Sequence, residues 1–156
     1  MGSTSRFVRT WDGIVAYRSR FDVLQDGELW PSVTDERIQA IMPIVAPDYE
    51  RFGARGLASV TVPTLLLAGT SDPYAPYEEL MVPTFTNLGA EERYLISFID
   101  AGHHPEWTLR GENFYKHFST TFFGYYLQDN EDYAEYLTEE FVEQFEDLAW
   151  GVYEEE

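Results

Sequence analysis

Three short apolar runs punctuate this chain. They are Ile38-Gln-Ala-Ile-Met-Pro-Ile-Val-Ala46, Thr64-Leu-Leu-Leu-Ala-Gly69 and Arg93-Tyr-Leu-Ile-Ser-Phe-Ile99. Near-continuous apolarity over so few residues predicts strands covered on both faces, as in a parallel sheet. Pro43 lies inside the first run, and proline within a sheet belongs on edge strands or bulges.

Between and after these runs the period changes. Pro76-Tyr-Glu-Glu-Leu-Met-Val82 predicts a helix start, with Glu78 and Glu79 suited to the positive end of its dipole, and Gly89 closes that region. From Asn113 to Leu127 the aromatic residues Phe114, Phe118, Phe122, Tyr125 and Tyr126 recur at helical spacing. Residues 129–150 repeat the pattern with Tyr133, Leu137, Phe141, Phe145 and Leu148 on one face and acids opposite, which predicts an amphipathic helix. Both aromatic stripes read as core. Upstream, residues 6–18 read as a weak helix interrupted by Gly13, residues 22–34 as a loop, Thr34–Arg37 as a helical turn, and residues 48–58 as a short glycine-interrupted segment.

The sum is an α/β chain with about three parallel strands, flanking helices and a C-terminal acidic helical extension. It divides into an irregular segment 1–34, an α/β unit 35–128, and an acidic helix and tail 129–156 packed on the same unit. The run Ile38–Ala46 would leave an unpaired apolar edge, prone to aggregation unless covered. An oligomeric or heteromeric partner is therefore expected there.

Length and composition narrow the class. A chain of 156 residues is one domain, and apolar and aromatic fractions of 44% and 17% fit a folded core. With no cysteine, disulfides, thiolate chemistry and Cys-based zinc sites are excluded. The net charge of −18 is uneven: residues 129–156 carry 12 acids and no base. Such a field repels phosphate backbones, so nucleic acid is not an expected partner. Acid-rich usage with a single lysine, Lys116, fits a solvated surface or an acidic docking tail. No apolar run approaches the about 18 residues that span a bilayer. A soluble protein is expected, cytoplasmic or secreted after loss of a signal peptide.

The candidate chemistry sits just after the second and third runs. Gly69-Thr-Ser-Asp72-Pro places a carboxylate in a turn fixed by proline, where it can accept from an imidazole N–H; as plain turn chemistry, Asp before Pro is also common. Asp100-Ala-Gly-His103 lets the backbone bend at Gly102 and leaves an imidazole projecting. An acid and a base at the same end of neighbouring strands are two thirds of a nucleophilic triad. His104 is the alternative imidazole. His103, His104, Glu106 and His117 fit no strong metal-ligand spacing, and no cofactor is expected. His117 reads as structural. The glycine pair Gly53 and Gly56 makes no phosphate loop, and no two glutamates stand out as a glycosidase pair.

In these motifs, their order and separation, and the aromatic helix that follows, the run from Asp35 to about Leu137 resembles the C-terminal half of an α/β-hydrolase. The closest branch is that of dienelactone hydrolases and platelet-activating-factor acetylhydrolases. The resemblance implies Asp72 as triad acid and His103 as base, in the chain order Ser, Asp, His. It also implies a nucleophilic serine on a strand–turn–helix upstream of both, in a domain roughly twice as long. No G-x-S-x-G occurs here. Ser71 adjoins Asp72 on the acid's own loop, a position that cannot also serve as the elbow.

Two functions follow as expectations. One is the acid–base half of a serine ester hydrolase of carboxylesterase or lipase type, with the serine supplied from elsewhere and the isolated chain nearly inactive. The other is a catalytically inactive remnant of that fold, kept as an assembly or binding module.

Overall fold

The computed structural model describes residues 35–45 and 48–154, apart from the side chain of Leu109. The expected helix at 6–18, the loop at 22–34 and Ala46 lie outside the described residues.

The second and third apolar runs form strands β1, Thr64–Gly69, and β2, Arg93–Phe98. They pair in parallel from Thr64 opposite Arg93 to Gly69 opposite Phe98. All six residues of β1 are buried, as continuous apolarity predicts. Alternate side chains leave the sheet on opposite faces. Leu65, Leu67, Ile96 and Phe98 face one cluster; Leu66, Ala68 and Leu95 face the other.

Each face is closed by helices. The first is packed by the long helix α3 (Leu109–Gln128) through Phe114, Tyr115, Phe118 and Phe122. The second is packed by Leu57 of α1 (Asp48–Leu57), by Tyr77 and Met81 of a π-helical turn (Tyr77–Met81), and by Leu88, which caps α2 (Val82–Asn87). Helix α1 kinks at Gly53, whose φ of 61° is the left-handed region glycine tolerates. Helix α3 runs Leu109–Gln128, longer than the aromatic spacing alone indicates. Thr108 starts it by accepting a hydrogen bond from the Gly111 N–H at 2.9 Å. Among the described residues, no helix is long and apolar enough to cross a membrane.

Two expectations need correction. Over its described residues, 38–45, the first run is not a continuous strand: it pairs with β1 at two isolated parallel bridges, Ile41 to Thr64 and Ile44 to Leu67. The Ile41 N–H donates to Pro63 O, and the Val45 N–H to Leu67 O. The ladder between them calls for an N–H at position 43, and a proline has none. The chain then leaves the sheet at Val45, with φ of 47°. Ile38 and Ile44 remain 51% and 45% exposed, so the apolar edge foreseen in the sequence is present in part.

The second correction concerns residues 129–150, which are not one helix. Asp129 adopts φ of 52° and ends α3. A 3-10 segment (Glu131–Tyr136), a single helical turn α4 (Glu139–Val142) and a strand β3 (Leu148–Trp150) follow. A straight helix here would stack Glu131, Glu135, Glu139 and Glu143 at four-residue intervals with no base to offset them, and like charges at that spacing are destabilising. Thr138 also offers a competing start, accepting from the Phe141 N–H. The apolar positions are still used, because Leu137, Val142 and Leu148 enter the first core cluster. The sheet is therefore mixed: β3 pairs antiparallel with β2, in the order β1-β2-β3.

Candidate active site

Strands β1 and β2 run in parallel, so their C-terminal loops emerge side by side. Gly69 permits the approach: a Cβ there would lie 2.3 Å from Ala101 O and 2.4 Å from Gly102 O. Hydrogen bonds then join the loops. The Thr70 N–H donates to Phe98 O, the Ser71 N–H to Ala101 O, and the Asp100 N–H to Thr70 Oγ1 at 2.9 Å. Asp100 takes φ of 57°, a left-handed conformation that Asp tolerates better than most residues.

Asp72 serves both of the roles the sequence left open. Its Oδ1 accepts from the Tyr74 and Ala75 N–H groups at 2.7 and 3.0 Å, an Asx turn. Its Oδ2 accepts from His103 Nδ1 at 2.8 Å. The Asp72 side chain is fully buried, while that of His103 is 29% exposed. Burial pushes the Asp72 carboxyl upward, but the Ala75 N–H, the His103 ring and the Tyr74 N–H outweigh it. The net position is below the usual 3.8, so the carboxylate stays ionised. A carboxylate can only accept, so Nδ1 carries the proton, and in the neutral ring the lone pair is then on Nε2.

Two rings pack against His103. The ring of Tyr74 meets it edge-on at 5.2 Å, and that of His104 at 4.6 Å. His104 is not the imidazole that reaches Asp72. Its Nδ1 donates to Glu106 Oε1 at 2.8 Å, and its ring stacks on Trp107 with centroids 3.8 Å apart and planes within 8°. Tyr74 and Trp107 are 63% and 77% exposed. Apart from their closeness to the two motifs, nothing in the sequence marks these rim residues.

His117 lies elsewhere. It stacks on Phe141 and meets Tyr136 edge-on, both at 5.1 Å, and burial lowers its pKa below the usual 6.5. Its Nε2 is buried without a hydrogen-bond partner. Among the described residues, no three His, Asp or Glu side chains gather as a metal-binding group. Ser71 is exposed on the Asp72 loop, and no described serine hydroxyl is hydrogen-bonded to His103. The buried Ser97 hydroxyl is committed to Tyr77 and Gly151 O.

No protein-family model and no curated protein matches this chain. Among solved structures, the monoacylglycerol lipase of Paleococcus ferrophilus aligns at 26% identity over 44% of this chain and 27% of the lipase, with a TM-score of 0.39. The chain thus matches about a quarter of that lipase's length.

Proposed function

We propose that this chain is the acid–base half of a serine ester hydrolase. The supporting observation is the 2.8 Å bond from His103 to a buried, ionised Asp72 at the C-terminal ends of adjacent parallel strands. That bond fixes the tautomer and leaves the Nε2 lone pair available to take a proton from a hydroxyl and return it to a leaving alkoxide. The Gly-Thr-Ser-Asp-Pro and Asp-Ala-Gly-His motifs favour the dienelactone-hydrolase branch of the α/β-hydrolases.

The serine and the oxyanion donors come from outside the described residues, on another chain or on an upstream segment. Acyl transfer needs all of them together. The edge at Ile38–Val45, with Ile38 and Ile44 exposed, is the surface on which that second half pairs. The substrates are esters of small or acyl-chain alcohols, turned over through an acyl-enzyme on the supplied serine.

The same exposed edge favours a second reading, an inactive remnant whose role is assembly. Turnover of an alkyl ester by the natively purified assembly separates the two. If the proposal holds, His103→Ala abolishes turnover and leaves assembly intact. If turnover is absent or unchanged by that substitution, the module reading replaces it. In either case Ile44→Lys weakens assembly.

A further inference from the structure

An imidazole whose Nδ1–H is held by a buried carboxylate is a nucleophile as well as a base. Here its surroundings suit it to that role. In the neutral ring that donates from Nδ1, Nε2 carries the lone pair, and the His103 side chain is 29% exposed. The exposed ring of Tyr74 meets it edge-on at 5.2 Å, and so does that of His104, itself stacked on Trp107, at 4.6 Å. Glu106 fixes the orientation of His104 through its Nδ1. Flat aromatic walls beside a nucleophilic nitrogen fit a planar aryl group.

We propose that His103 is itself an acyl acceptor for activated aryl esters, with Tyr74, His104 and Trp107 forming the aryl subsite. This activity rests on the Asp72–His103 pair and needs no serine. Nε2 attacks the ester carbonyl carbon, the N–C bond forms, and the C–O bond to the aryl group breaks as the phenolate departs. The resulting N-acyl imidazolium is stabilised by the Asp72 carboxylate at Nδ1. Water then adds to the acyl carbon and the C–N bond breaks. The acid is released, one proton passes to solvent, and Nε2 regains its lone pair. Alkyl esters do not react this way, because an alkoxide is too poor a leaving group for imidazole to expel.

The test uses the isolated full chain with p-nitrophenyl acetate, read as p-nitrophenolate release and by acid-quenched mass spectrometry. The expected result is saturable turnover that falls at least about tenfold in His103→Ala. An acetyl group should appear on the peptide bearing His103, and Trp107→Ala should raise KM with kcat nearly unchanged. His117→Gln, away from the site against Phe141 and Tyr136, should retain both kcat and KM. Equal turnover in His103→Ala, or a loss confined to His104→Ala, overturns the proposal. Fluorophosphonate does not report this activity, so failure of the serine-hydrolase reading and failure of this one are distinguishable.

Discussion

Asp72 Oδ2 accepts from His103 Nδ1 at 2.8 Å across 31 residues of sequence, while the other oxygen of the same carboxylate fastens its own turn. One side chain thus shapes the loop and orients the imidazole.

The division of labour separates two substitutions. Asp72→Ala strands two backbone N–H groups and should cost about 1–3 kcal/mol for each one left buried and unpaired. Asp72→Asn keeps an oxygen for those groups and should fold nearly normally. In a completed hydrolase it should still lower kcat by roughly 10⁴-fold, because the amide favours the wrong imidazole tautomer. Urea unfolding beside ester turnover checks both halves.

The pH dependence follows from the depressed Asp72 pKa. Its folded value lies below the usual 3.8, so the folded state binds its proton less readily than the unfolded chain. The stability this gives is fully present above the unfolded value and is lost as pH falls through the folded one. The stability gap between wild type and Asp72→Asn should therefore be constant above about pH 5 and shrink below about pH 4. Denaturant midpoints across that range give the answer; a gap that widened on acidification would contradict the assignment.

Gly69→Ala should separate the two loops. The added Cβ would meet Ala101 O at 2.3 Å and Gly102 O at 2.4 Å, both rigid backbone. A loss of about 1–3 kcal/mol is expected from such overpacking. The hydrogen-bonded His103 Nδ1–H signal in proton NMR should broaden or vanish.

Tyr77 ties the central strand β2 to the C-terminal segment. Its hydroxyl shares a hydrogen bond with Ser97 Oγ at 2.6 Å and accepts from the Tyr153 N–H at 2.9 Å. Tyr77→Phe leaves the Tyr153 N–H without its partner and should cost about 1–3 kcal/mol. Hydrogen exchange should quicken at residues 148–153 and stay unchanged at the Asp72 loop.

Much of this was legible in the chain because the signals were local. β1 and β2 are dense apolar runs, and the turns after them announce their own chemistry at Asp72 and His103. The misreadings arose where distant or opposing terms decided the outcome. Pro43 removed one ladder hydrogen bond from an otherwise strand-like run. In residues 129–150 a good apolar period lost to unbalanced acids and to the competing start at Thr138, and Leu148 found its place in a strand against β2. The rim of Tyr74, His104 and Trp107 follows from how two loops meet, a relationship that spacing within either loop does not encode.

Under the proposed function, His103 activates a serine. Fluorophosphonate labelling of natively purified material, read by intact mass of every chain present, tests it most directly. The expected result is a label on a serine-bearing chain or segment that joins this one, lost when His103 is replaced by alanine. Unlabelled particles containing only this chain would contradict it and leave the assembly module.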